Sequence, residues 1–191
     1  MTDTNPNPIE WPEPIRLHLG CGNEHRDGWC NVDARNDQTA DLVWDIKDVP
    51  MPFADNSVEE IACLYTLEHV TRTHQRPVLR EWLRMLKPDG KLYLVVPNIT
   101  VFFDQIAKDS ELILAGAQSP YAPTTMTAFE HFEAGLVGLF SDDAESPSWG
   151  QHRWGYTYPY LIHLLTEIGF VNVTMPEGDL QTRCAVEAHK P

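Results

Sequence analysis

The chain is short of positive charge, of paired cysteines and of long apolar runs, and each shortage excludes something. Lysine and arginine number 14 against 28 aspartates and glutamates, for a net charge of −14. Phosphate backbones are bound by basic surfaces, so nucleic acid is not the expected partner. An anionic membrane surface is disfavoured for the same reason. No stretch approaches the ~18 apolar residues of a membrane span. Residues 1–14 hold neither a basic cluster nor an apolar core, so they do not read as a signal peptide, and the expected address is the cytoplasm. The four cysteines, Cys21, Cys30, Cys63 and Cys184, form no CxxC pair. Neither a disulfide framework nor a structural zinc site is expected, and three of the four read as small core residues.

What is present suits one globular domain: 191 residues, 42% apolar and 22% charged. Pro6, Pro8, Pro12 and Pro14 mark residues 1–14 as an extended, flexible arm, leaving 15–191 as the domain. Ile15 to Leu19 alternates and runs into Gly20-Cys21-Gly22, a strand followed by a glycine turn. Trp29–Asp33 and Asp41–Asp45 are short strands, each closed by an acid. A fourth strand falls within 58–65. Residues 75–87 are helical, with Pro77 in the first turn and Val78, Leu79, Trp82, Leu83 and Leu86 on one face. Lys87-Pro88-Asp89-Gly90 stops that helix. Leu92–Val96 is an apolar run, as expected of a strand buried on both faces. A helix starts near Thr100. Thr157 caps another, which Gly169 ends, with Leu161, Leu164, Leu165 and Ile168 on its apolar face. Residues 170–174 and 184–188 close the chain as strands, the last antiparallel.

Strands alternating with helices predict an α/β fold: a Rossmann-like, doubly wound sheet of about seven strands, mostly parallel with an antiparallel last strand. Residues 109–150 break the rhythm and hold a predicted helix around Phe129–Phe140. A connection of this length reads as a lid-like insertion or as decoration of the sheet edge.

In doubly wound folds ligands bind at the carboxyl ends of the strands. Gly20 and Gly22 would let backbone N–H groups approach a ligand closely, although glycine pairs are common in turns. Asp33 can accept from both hydroxyls of a ribose, or be a cap or solvated acid. It lies 13 residues after Gly20, whereas a nicotinamide fingerprint wants about 20 and a third glycine. A dinucleotide oxidoreductase is therefore disfavoured, and the first helix must be very short. Asp45 can accept from an exocyclic amine while Ile46 covers a purine face, or it can be a turn acid.

Leu17-His18-Leu19-Gly20-Cys21-Gly22 and Asn31-Val32-Asp33 resemble the first two motifs of class I S-adenosylmethionine-dependent methyltransferases. Asp45 with the stretch from Val49 to Val58 resembles the "D…LPFPDNSFD" segment of the small type-11 subgroup. Leu67-Glu68-His69-Val70 resembles its "LEHV", and Leu86 to Leu92 its "LKPGGxL". Residues 151–157 followed by Gly169-Phe170 resemble a later segment in one subgroup.

The resemblance implies S-adenosylmethionine as methyl donor, with S-adenosylhomocysteine as product. Gly20, Cys21 and Gly22 would face its methionine part, Asp33 its ribose, Asp45 and Ile46 its adenine, and Tyr65 to Leu67 its sulfonium side. It implies methyl transfer to a small-molecule or sugar-like acceptor. The alternative is a methyltransferase-like domain that binds cofactor or a partner without catalysis. An acceptor bearing a proton needs a base. His152 is the first choice and His69 the second, with packing and loop orientation as their structural alternatives. Arg153 can meet an anionic group, and Glu130 and His131 lie in the insertion. The His69-x4-His74 spacing lacks a third ligand, so no metal is expected.

Overall fold

The computed structural model describes residues 11, 13–36, 39–108, 152–176 and 183–191. The expected arm through Glu10 and the insertion at 109–150, with its predicted helix, Glu130 and His131, lie outside the described residues.

Seven strands form one sheet: β1 (Ile15–Leu19), β2 (Cys30–Asp33), β3 (Leu42–Val43), β4 (Val58–Leu64), β5 (Leu86–Pro97), β6 (Val171–Thr174) and β7 (Arg183–His189). Their order is β3-β2-β1-β4-β5-β7-β6. Strands β1 to β5 pair in parallel. β7 runs antiparallel to both β5 and β6, so it is the one reversed strand. The α/β sheet and its antiparallel end are as the sequence predicts.

Three helices accompany the sheet among the described residues: α1 (Arg72–Met85), α2 (Ile99–Lys108) and α3 (Tyr158–Ile168). α1 packs on α3, and α3 packs on β6 and β7. Val78, Leu79, Trp82 and Met85 of α1 and Leu161, Leu164 and Leu165 of α3 are fully buried. Each such side chain contributes about 1.5–3 kcal/mol through removal from water. The Thr157 hydroxyl accepts the Tyr160 amide at 3.3 Å, and Gly169 closes α3 in the left-handed region at φ 117°.

Two boundaries differ from the sequence reading. α1 begins at Arg72 rather than 75, which puts Pro77 beyond the first turn. The Lys87–Gly90 turn belongs to β5: the pairing of β5 with β4 slips between Val58 and Glu60, and the extra residues bulge there. No helix separates β1 from β2, so the short first helix expected from the spacing is a loop.

The chain crosses from β3 at one edge back past β1 to β4, which makes the carboxyl ends of β1 and β4 a topological switch point. Gly20 and Tyr65 follow those two ends, and Asp33 closes the neighbouring β2. Among the described residues no helix is long and apolar enough to cross a membrane.

Candidate functional site at the switch point

Gly20 sits at φ 70° and Gly22 at φ 56°, left-handed geometry that disfavours other residues. The turn they build is closed upon itself. Gly20 and Cys21 both donate their N–H groups to the Val32 carbonyl, at 2.8 and 3.1 Å. The Gly22 N–H donates to Asp33 Oδ2 at 2.8 Å. The sequence suggested glycines that free amides for a ligand. Instead all three amides are used within the chain, and a Cβ on Gly20 would meet Thr66 Oγ1 at 2.0 Å. Glycine is required at position 20 because the Thr66 side chain lies on it.

Asp33 is buried and accepts three bonds: from Gly22 N–H, from Arg35 N–H at 2.9 Å and from Arg35 Nε at 3.1 Å. Burial pushes its carboxyl up, but the Arg35 and Gly22 amides and the Arg35 guanidinium outweigh burial and hold it below the ordinary value. It is therefore ionised and fixed in place. A carboxylate has about four acceptor directions, so Asp33 can take a ribose hydroxyl with Arg35 in place and a second if Arg35 swings aside. In this respect the residues fit the adenosyl group.

At the end of β3, Asp45 accepts from the Lys47 N–H at 3.0 Å and pairs with Lys47 Nζ at 3.2 Å. Its carbonyl takes the Asp48 amide at 2.8 Å. These bonds build a turn around the acid. Ile46 is 7% exposed and belongs to the core.

β4 runs into Tyr65, a half-exposed tyrosine at φ 50° whose amide donates to Val95 O at 2.8 Å. A bulky residue held in this region is uncommon away from sites that over-determine it. Thr66 follows, donating to the Leu64 carbonyl at 3.0 Å, and Leu67–His69 forms one 3-10 turn. Leu67 is fully buried. The Glu68 carbonyl accepts the amides of Arg153 at 2.6 Å and Trp154 at 3.1 Å. This pair of bonds lays the segment before α3 against the turn after β4. Tyr156 reinforces it by donating to Leu67 O at 3.4 Å and pairing with Asn98 beyond β5.

As a result His69 and His152 meet edge to face, with ring centroids 5.2 Å apart. Burial, together with the neighbouring His69, pushes the His152 imidazole below its ordinary value. It is neutral at physiological pH, as a proton acceptor must be. His74 is not part of this cluster. It is exposed, and its Nδ1 lies 2.8 Å from Thr71 Oγ1.

One member was missed by the sequence reading. Glu68 stands inside a motif that resemblance singled out, yet no role was assigned to it. It is 1% exposed, and its Oε2 has no hydrogen-bond partner. Burial pushes its carboxyl up to about 8. Its adjacency to His69 was the available signal; its burial was not readable.

Residues 22–94 match a family model described as a methyltransferase domain. None of the curated proteins compared matches the chain. A SAM-dependent methyltransferase from Archaeoglobus fulgidus is similar at TM-score 0.57 and 12% identity, over 92% of this chain and 86% of that one. A SAM-dependent methyltransferase from Thermotoga maritima gives TM-score 0.54 and 13% identity, over 95% and 84%. The DszA carbon methyltransferase gives TM-score 0.55 and 15% identity over 92% of this chain. The chain spans about half of that last protein, 47% of its length. At such identities the likeness is one of fold. Residues 22–94 thus carry the pattern of a methyltransferase-domain family, and the seven-stranded sheet has the fold of these methyltransferase structures.

Proposed function

We propose that the chain transfers the methyl group of S-adenosylmethionine to a small-molecule or sugar-like acceptor that enters beside His69 and His152. The observation that carries this reading is a juxtaposition. The fixed carboxylate of Asp33 and the neutral imidazole of His152 belong to the same carboxyl-end edge of the sheet, with the Tyr65–His69 segment between them.

In this reading Asp33 holds the ribose, Asp45 and Ile46 line the adenine, and the Gly20-Cys21-Gly22 turn backs the methionine portion. Tyr65 and Leu67 border the sulfonium side. The cofactor, when bound, supplies an activated methyl group on a good leaving group. The chain's own residues then have two tasks. One is to hold the acceptor in line, which supplies much of the rate. The other is to take the proton of a hydroxyl or amine acceptor, assigned to His152 with His69 beside it. The net charge of −14 supports a small acceptor rather than a nucleic acid or an anionic membrane surface. Four buried free thiols suit the reducing cytoplasm.

The internally satisfied glycine turn favours a second reading, a methyltransferase-like domain that binds without catalysis. Calorimetric titration with S-adenosylhomocysteine tests the cofactor assignment. Saturable binding is expected, weakened in Asp33→Ala by about 1–3 kcal/mol for loss of a charged acceptor. An unchanged affinity in the folded variant removes Asp33 from the site. Tight binding of NADH with none of S-adenosylhomocysteine overturns the whole assignment. A turnover screen against an acceptor panel separates catalysis from binding alone.

A further inference from the structure

We propose that Glu68, His69 and His152 together hold a divalent first-row transition cation on the acceptor side of the site. One carboxylate oxygen and two imidazole nitrogens from these residues lie within 4.8 Å of one another. Two of the ligands are neighbours on the Leu67–His69 turn. The third is delivered by the backbone bonds from Arg153 and Trp154 to the Glu68 carbonyl.

Glu68 provides the independent sign. Its carboxylate is almost completely buried, and Oε2 meets no donor. Buried polar groups in proteins are hydrogen-bonded or coordinate metals, because an unpartnered one is costly to keep. Among the described residues this is the one group of three or more carboxylate, histidine or cysteine side chains close enough to share an ion. Two imidazoles favour a transition cation over magnesium or calcium. Three protein donors leave coordination positions open to water or to an oxygen acceptor.

The chemical role deepens the methyl-transfer reading and rests on it. A hydroxyl at an open position gives up its proton more readily, and the proton passes to solvent. The two histidines then act on the acceptor through the cation, instead of His152 taking the proton itself.

The test uses the full chain, stripped with a chelator and titrated with Co2+, whose visible absorption reports nitrogen ligation. One Co2+ per chain is expected, displaced by Zn2+. Glu68→Gln and His152→Ala are each expected to weaken it by about 100-fold or more, since even an outer partner of a ligand is worth roughly 10–100-fold. His74→Ala is expected to keep the wild-type affinity. Absence of stoichiometric binding, or wild-type affinity in Glu68→Gln and His152→Ala, overturns the site. If Glu68→Gln does not fold, His152→Ala decides alone, because His152 is only partly buried. Titration of the same samples with S-adenosylhomocysteine separates the two claims. Cofactor binding without Co2+ removes the cation site and leaves methyl transfer standing. Co2+ binding without cofactor binding does the reverse.

Discussion

Gly20→Ala measures what the glycine turn is for. The substitution carries two costs. At φ 70° an alanine bears a left-handed backbone, about 1–2 kcal/mol. Its Cβ would also fall 2.0 Å from Thr66 Oγ1, 2.3 Å from Cγ2 and 2.6 Å from Cβ. Overpacking of that kind costs about 1–3 kcal/mol. Together they predict a destabilisation of about 2–5 kcal/mol, a large part of a typical domain's ~5–15 kcal/mol. Thr66→Gly removes all three close atoms but leaves the backbone conformation. In that background Gly20→Ala is expected to cost only about 1–2 kcal/mol. Urea unfolding of the four proteins closes the cycle, with an expected coupling of about 1–3 kcal/mol. Equal costs in both backgrounds refute the argument that Thr66 dictates the glycine. So does a Gly20→Ala protein of native stability that has lost S-adenosylhomocysteine binding, since that pattern assigns the glycine to the ligand.

Asp33 gives a prediction in pH. Its folded carboxyl is held below the ordinary value of 3.8, so its stabilisation is present above that value and lost as the pH falls through the depressed one. Asp33→Asn is expected to flatten this acid limb of the stability curve; parallel limbs in the two proteins would show that Asp33 does not titrate as argued. His152→Ala, assayed with an acceptor found by the panel, is expected to lower turnover by roughly 10²–10⁴-fold while leaving S-adenosylhomocysteine affinity unchanged. Loss of affinity with turnover retained would reassign His152 to structure.

Much of the scaffold was legible because its signals are local. The alternation of Ile15–Leu19, the apolar run in β5 and the Thr157 and Gly169 caps of α3 depend on neighbours in sequence. The start of α1 was misplaced because the preference of proline for a first turn is a tendency, and Pro77 is accommodated further along. β3 is shorter than its apolar pattern suggests, two residues paired only with β2 at the edge of the sheet. At the site, Asp33, His69 and His152 could be chosen from motif position and residue type. The closure of the glycine turn could not, because it depends on Val32 and Thr66 approaching from other elements. Nor could the burial of Glu68, whose backbone carbonyl takes the Arg153 and Trp154 amides from far along the chain.

The pairing of Asn98 with Tyr156 has an evolutionary consequence. The Ile99 amide donates to the Tyr156 carbonyl at 2.9 Å, so the chain departs from the sheet and rejoins it at adjacent points. The two ends of the intervening stretch are therefore held as neighbours by backbone bonds. Closing a longer loop between fixed neighbours adds little entropy, about 0.6 kcal/mol for each doubling. Sequences of different length can therefore be exchanged there without re-registering a strand.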